Sequence, residues 1–399
     1  MHKPRIIILM HYLELGGAEM SLIGLLGALD PKKVDVDLFI YSHQGPLMQF
    51  IPKWVNLLPE VSVYSMIEKP MSCALKKGHF GIVAGRILAK WSCRNYRYKH
   101  PAKNEDIAII HYVGNNTTPW LPKISPSTEY DLCISYLIPH NIGLNKVRAK
   151  KRLAWIHTDY STVSVNAQRE LPVWGAYDYI ASISQEVTRS FLKTFPSLAP
   201  KIVEIENMLS EEFVHTRAKE FDASNEFTGS INLLSIGRFC TAKNYDNVPD
   251  IARRMIESGL TGLKWYIIGF GSDEALIRRK IAESGMENHV ILLGKKENPY
   301  PYINACDIYV QPSRYEGKSV TVREAQMLHK PVAVTAYPTA SSQINDGVDG
   351  VIVPLDNAGC AQKLTEFIAN KDLQKQFTTY LQTKDYANRS EIDKIYDLI

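Results

Sequence analysis

Two series of short apolar, β-branched runs constrain this chain most. The first series is Arg5–Met10, Val36–Tyr41, Ile107–His111, Asp131–Tyr136, Leu153–Ile156 and Tyr179–Ile183. The second is Ile231–Ile236, Lys264–Ile268, His289–Leu293, Asp307–Gln311, Pro331–Thr335 and Val351–Val353. Short apolar runs with polar or turn residues at their ends predict buried strands. Helical patterns such as Ser272–Ser284 and Val320–Leu328 separate most of the second series. Alternating strands and helices predict parallel sheets covered on both faces. The fold class is therefore α/β, with two doubly wound domains, which suits a length of 399 residues. The polar stretch Ser210–Ser230, with turn chemistry at Ala223–Glu226 and Gly229-Ser230, marks the boundary region. This predicts a first domain over 1–205, rejoined by a C-terminal helix at about 380–399, and a second over 206–379.

Composition excludes several classes. With 45% hydrophobic and 22% charged residues the chain is neither disordered nor collagenous. Its longest plain apolar run, Leu22–Leu29, has eight residues, whereas a spanning helix needs about 20. The stretch Ile6–Met10 is too short for a signal peptide. The six cysteines are scattered, with no CxxC pair, which fits a reducing compartment and a cytoplasmic protein. Residues 1–200 hold 23 Lys+Arg against 15 Asp+Glu, while residues 201–399 hold 23 against 27. Halves of opposite charge suggest different partners.

Open α/β sheets bind ligands beyond the carboxyl ends of their strands. Five segments stand there. Gly16-Gly17-Ala18-Glu19 opens a helix after the first strand, where free amides favour an anion. Gly237-Arg238, followed by Lys243-Asn244, places two cations after the first strand of the second series, a pair suited to a pyrophosphate. Gly269-Phe270-Gly271 is half of a dinucleotide fingerprint and weak evidence for NAD. In Ser313–Ala325, Glu316 precedes Gly317 in a loop and Glu324 lies about a turn into the next helix. A carboxylate there accepts hydrogen bonds from ribose or sugar hydroxyls. Last, His157 ends a first-domain strand, where it can donate to a substrate oxygen or titrate near neutral pH.

Together these segments resemble the retaining nucleotide-sugar glycosyltransferases of glycosyltransferase family 4, which have the GT-B fold of two Rossmann-like domains facing across a cleft. The resemblance is carried by Gly16–Glu19, Gly237-Arg238 with Lys243-Asn244, and Glu316-x7-Glu324. Lys330–Thr335 and Asn345–Gly350 are also similar to the family. It implies that Arg238 and Lys243 hold the donor diphosphate and Glu324 the nucleotide ribose. Glu316 would contact the donor sugar, and the amides of Gly317, Lys318 and Ser319 would line sugar and phosphates. Gly16 and Gly17 would close on the donor, and His157 would lie beside the reacting sugar. Many members have an aromatic residue and a proline where this chain has Lys318 and Ser319; Lys318 would touch phosphate or an anionic sugar. The implied activity moves a sugar, from a UDP-sugar by preference, to a glycan or lipid-linked acceptor in bacterial surface polysaccharide synthesis. Competing readings are a nucleotide-sugar epimerase of the same fold and a non-catalytic nucleotide-sugar-binding scaffold.

No cofactor or metal is expected. An Asp-x-Asp pair, Asp35-Val36-Asp37, opens a strand rather than a metal loop. Residues 75–103 carry eight Lys+Arg and no acid, interleaved with apolar residues such as Ile87, Leu88 and Trp91. A second basic cluster spans Lys146–Arg152. Such an amphipathic segment suits an anionic membrane surface, placing the protein peripherally on the inner face of the plasma membrane. No nucleic-acid-binding motif accompanies the charge, so no nucleic acid partner is expected.

Overall fold

The computed structural model describes residues 3–14, 16–102, 105–316 and 319–399, apart from the side chain of residue 105. Lys103, Gly317 and Lys318 lie outside the described residues. The chain forms two compact units, Met1–Ser210 with Asn388–Ile399, and Glu211–Ala387.

The first unit contains β1 (Arg5–Met10), β2 (Asp35–Ile40), β3 (Asn56–Leu57), β4 (Glu105–Asp106), β5 (Tyr130–Ser135), β6 (Ala149–Ile156), β7 (Val163–Ser164), β8 (Tyr179–Ser182) and β9 (Ile202–Glu204). Seven of these form one sheet in the order β3-β2-β1-β5-β6-β8-β9, and β4 pairs with β7. Every pairing is parallel. Ile6–Met10 and Leu132–Ile134 are at most 1% exposed, as expected for strands covered on both faces. The second unit contains β10 (Ile231–Ile236), β11 (Leu263–Ile268), β12 (Val290–Gly294), β13 (Ile308–Gln311), β14 (Val332–Thr335) and β15 (Val351–Val353). They form a parallel sheet in the order β12-β11-β10-β13-β14-β15. Its core joins Leu233, Trp265 and Val310 to Ile251, Met255, Leu364 and Phe367 from flanking helices.

One expected strand is a helix. Of Ile107–His111, all but Ile107, which caps it, belong to the helix Ala108–Thr117. Its buried residues Ala108, His111 and Tyr112 recur at helical spacing. Ala108 and Tyr112 pack with Ala89 and Cys93 of the helix Phe80–Lys99. The Asp106 carboxylate accepts from the Ala108 N–H at 3.0 Å, holding the helix start. Tertiary packing here overrides the β-propensity of three isoleucines.

The contact boundary at Ser210/Glu211 lies a few residues beyond the expected 205/206, for a packing reason. Residues 206–210 lie on the helix Gly17–Ala28: a Cβ on Gly24 would stand 2.2 Å from the Met208 carbonyl oxygen. The Ser21 hydroxyl donates to Asn207 at 2.8 Å. The chain end returns to this unit at Asn388, where Tyr396 accepts from the Asp30 N–H at 2.7 Å and Lys394 donates to the Glu204 carbonyl at 2.9 Å. Residues Lys371–Leu381, expected in part to return, form a helix of the second unit. No helix among the described residues is long and apolar enough to cross a membrane.

Gly24 and Gly27 share one helix but differ in surroundings. A Cβ on Gly27 meets nothing within 4 Å. Gly24→Ala should destabilise the protein by about 1–3 kcal/mol through overpacking against backbone. Gly27→Ala should stabilise it by up to about 1 kcal/mol through helix propensity. Scanning calorimetry of both variants measures the two opposite shifts.

Candidate functional site

Strand order reverses in the second unit between β10 and β13. Loops leaving these neighbours run to opposite faces, which opens a ligand crevice at their carboxyl ends. Gly237-Arg238 follows β10, and Ser313–Glu316 follows β13. Lys243 ends a short 3-10 turn, Thr241–Lys243, and buried Asn244 takes a left-handed conformation with φ 62°. The Lys243 side chain passes over Gly237, where a Cβ would lie 3.1 Å from its Cε. Its Nζ reaches Glu316 Oε1 at 2.5 Å.

That oxygen also accepts from the Ser313 hydroxyl at 2.6 Å and from Gln311 Nε2 at 3.3 Å. Glu316 Oε2 accepts no hydrogen bond among the described residues. Tyr309 fixes Gln311 in turn, donating to its Oε1 at 2.7 Å. The two loops are clamped further out. Arg314 donates to both Asp246 carboxylate oxygens at 2.9 and 2.7 Å and to the Thr241 carbonyl at 2.6 Å. Arg238 is exposed and makes no hydrogen bond or ion pair among the described residues. Gln311, Ser313, Asp246 and the role of Arg314 were missed by sequence reasoning. Ser313 and Arg314 stood inside the highlighted segment, but nothing local shows that Arg314 meets a residue 68 positions earlier.

Glu324, on the helix Val320–Met327, is only 3% exposed and accepts from the Tyr300 hydroxyl at 2.7 Å. Burial pushes its carboxyl up to about 7, against the pull of that hydrogen bond. Ser319 precedes the helix, with its N–H donated to Gln343 Oε1 at 2.9 Å and its carbonyl accepting from Gln343 Nε2 at 2.6 Å. A phosphate at the Ser319 amide would therefore displace Gln343. Gly269 and Gly271 serve packing. A Cβ on them would stand 1.9 Å from the Gly237 carbonyl oxygen and 2.3 Å from the Phe239 carbonyl oxygen.

In the first unit, Gly16 caps the helix Gly17–Ala28. A Cβ on Gly16 would stand 2.2 Å from a Glu19 carboxylate oxygen, and Glu19 bonds its own N–H. The anion favoured at this helix start is thus a carboxylate of the chain itself. Gly17 is exposed with open space around its Cα. His157 follows β6, its ring centroid 4.7 Å from Tyr136 and 5.9 Å from Trp155. Burial lowers its pKa to about 3, so the ring is neutral at working pH and does not titrate there. Its Nε2 is buried with no hydrogen-bond partner among the described residues. Asp37 of the Asp-x-Asp pair is bound by Arg5, Asn56 and Tyr130 at 2.6–2.8 Å, and Asp35 by Lys3 at 2.6 Å.

The basic segment centres on the helix Phe80–Lys99. One face buries Ile82, Val83, Ala89 and Cys93. The other exposes Phe80, Ile87, Leu88, Trp91 and Tyr98, each by 48–88%. Lys76, Lys77, Lys90 and Arg94 are exposed beside them. Two of its cations are structural instead: Arg86 holds the Met66 and Lys69 carbonyls, and Arg97 holds Asp106.

Residues 216–384 match the family of glycosyl transferases group 1. This segment contains Arg238, Lys243, Glu316 and Glu324. The chain is 24% identical over 224 residues to the poly(ribitol-phosphate) alpha-N-acetylglucosaminyltransferase of Staphylococcus aureus, covering 49% of this chain and 45% of that protein. It is 27% identical over 194 residues to a 4-alpha-N-acetylgalactosaminyltransferase of Campylobacter jejuni, whose named acceptor is a diphospho-undecaprenol-linked sugar, covering 48% and 51%. The chain thus spans about half the length of these relatives. A crystal structure of an S. aureus TarM mutant with UDP, fondaparinux and alpha-GlcNAc-glycerol superposes with a TM-score of 0.65 at 14% identity, covering 99% of both chains. Anabaena HepE with UDP and glucose gives 0.61 at 13% identity, covering 99% of this chain and 98% of HepE. The fold is GT-B.

Glu324 generates a pH prediction. An unfolded glutamate titrates near about 4.3. With the folded value raised to about 7, the folded state holds the extra proton between these limits, so stability falls as pH rises from about 4.3 through 7. Glu324→Gln should flatten that part of the profile. Urea midpoints at pH 5 and pH 7.5, for both proteins, measure it.

Proposed function

We propose that this chain is a retaining glycosyltransferase of glycosyltransferase family 4. It takes a nucleotide-sugar donor, a UDP-sugar by preference, and a glycan or lipid-linked acceptor, in bacterial surface polysaccharide synthesis. The observation that carries this reading is the Lys243–Glu316 pair at the strand-order reversal, inside the segment that matches group 1 glycosyl transferases. Support comes from relatives named as glycosyltransferases and from GT-B neighbours solved in complex with UDP.

In this reading Arg238 and Lys243 meet the donor diphosphate. As the bond from the anomeric carbon to the diphosphate breaks, negative charge grows on the leaving oxygen and both cations stabilise it. Glu316 is held through Oε1, which leaves Oε2 to accept from a hydroxyl of the donor sugar. Glu324 accepts from the nucleotide ribose, exchanging its bond to Tyr300. His157, a neutral imidazole, supplies a hydrogen bond to the sugar rather than a proton transfer. The departing phosphate takes the acceptor's proton on the same face, which gives retention without a glutamate nucleophile and without a divalent metal. The exposed apolar and basic face of the helix Phe80–Lys99 docks the protein on an anionic membrane.

Lys243→Ala should lower kcat by about 10²–10³, as for a lost oxyanion donor. Glu324→Ala should act mainly on KM, because a ribose contact changes little as the sugar bond breaks. Glu316→Ala should affect both. Steady-state kinetics on the three variants, with folding checked by circular dichroism, separates these outcomes. Normal turnover of Lys243→Ala at saturating donor removes Lys243 from the leaving-group role.

Cosedimentation tests the docking face. The protein should bind anionic vesicles at low salt and be released as salt rises, since each basic residue near such a surface contributes about 1 kcal/mol. Replacing Lys76, Lys77, Lys90 and Arg94 by Gln should abolish this binding and leave donor binding intact.

A further inference from the structure

The first unit holds a cavity of about 430 Å³ that the donor chemistry above does not use. That volume lies within the range of small-molecule sites. Its walls are largely aliphatic, with Ile67, Ile107, Ile110, Leu137 and Ile138 among them. Its polar groups include His11 and Glu68, joined by a hydrogen bond at His11 Nδ1. The His11 side chain is 9% exposed, and its Nε2 is buried with no hydrogen-bond partner among the described residues. Glu68 is 44% exposed, and its Oε2 accepts no hydrogen bond among the described residues.

The pair is held from outside. Arg86 donates to the Met66 carbonyl at 3.0 Å and to the Lys69 carbonyl, bracing the turn that carries Glu68. Burial alone would raise the Glu68 carboxyl, but the His11 hydrogen bond and the charges of His11 and Arg86 hold it below the usual range. Glu68 is therefore a fixed anionic acceptor beside an aliphatic cavity.

The chemistry of the lining selects among ligands. A pyranose carries hydroxyls on every edge, and aliphatic walls would strip them of water without replacing its bonds. A phosphate would meet the Glu68 carboxylate, with the charges of Glu14 and Glu19 also felt at Tyr12 in the same wall. A hydroxyl on an aliphatic body meets neither penalty. We propose that this cavity binds an aliphatic group bearing a hydroxyl, whose O–H donates to the Glu68 carboxylate while His11 fixes that carboxylate from behind. This ligand chemistry rests on the cavity's own lining and not on the glycosyltransferase reading.

Methyl NMR of the full chain, labelled at isoleucine δ1 carbons, tests this with geraniol as the probe. Geraniol should shift the Ile107 and Ile110 methyls saturably. Geranyl phosphate should bind at least about tenfold more weakly, and glucose should leave both methyls unmoved. Glu68→Ala should weaken geraniol binding about tenfold, and Ile110→Trp, which fills the cavity, should abolish it. The proposal is overturned if geraniol moves neither methyl, if geranyl phosphate binds as tightly, or if Glu68→Ala binds geraniol normally. Adding UDP, or GDP, to the same sample separates the two levels. Geraniol binding without any response from Ile236 or Ile268 to UDP or to GDP supports the cavity and refutes the nucleotide-sugar donor reading.

Discussion

Lys243 and Glu316 meet because the second sheet changes direction between β10 and β13. Each residue lies in a loop that leaves the carboxyl end of a buried strand parallel to its neighbours. The half-buried ion pair is short of water and draws Ser313 and Gln311 onto the same carboxylate oxygen. One partner removed would leave a desolvated charge, which makes the pair sensitive to its surroundings. The Arg314–Asp246 clamp keeps the loops in register outside it. In the proposed function, an incoming diphosphate would share Lys243 with Glu316 and would meet the exposed Arg238.

The first unit uses burial differently. His157 and His140 are pushed by desolvation well away from protonation near neutral pH, and His111 falls to about 4. Beside His111, burial raises the Glu170 carboxyl to about 8, so both members of that buried pair are neutral at pH 7. These groups are neutral side chains near pH 7 rather than proton carriers.

Short apolar runs such as Arg5–Met10 and Ile231–Ile236 were legible because strands buried on both faces show no regular polar alternation. Ile107–His111 was misread for the same reason: a short apolar run does not reveal its period until the partner helix is known. The two- and three-residue strands β3 and β9 carry too little signal to be seen. Glycine turns and charged residues after strands pointed to Arg238, Lys243, Glu316 and Glu324. The Arg314–Asp246 clamp is a meeting of distant loops, and Glu19 folding over Gly16 is a side-chain choice, so neither was visible. That His157 would be neutral depended on burial that only the fold supplies.

A crystal structure of the protein with UDP tests the central claim most directly. The account predicts the β-phosphate within hydrogen-bond reach of Lys243 and Arg238, and the ribose hydroxyls on Glu324 in place of Tyr300. A diphosphate bound elsewhere, with Lys243 still paired only to Glu316, would contradict it.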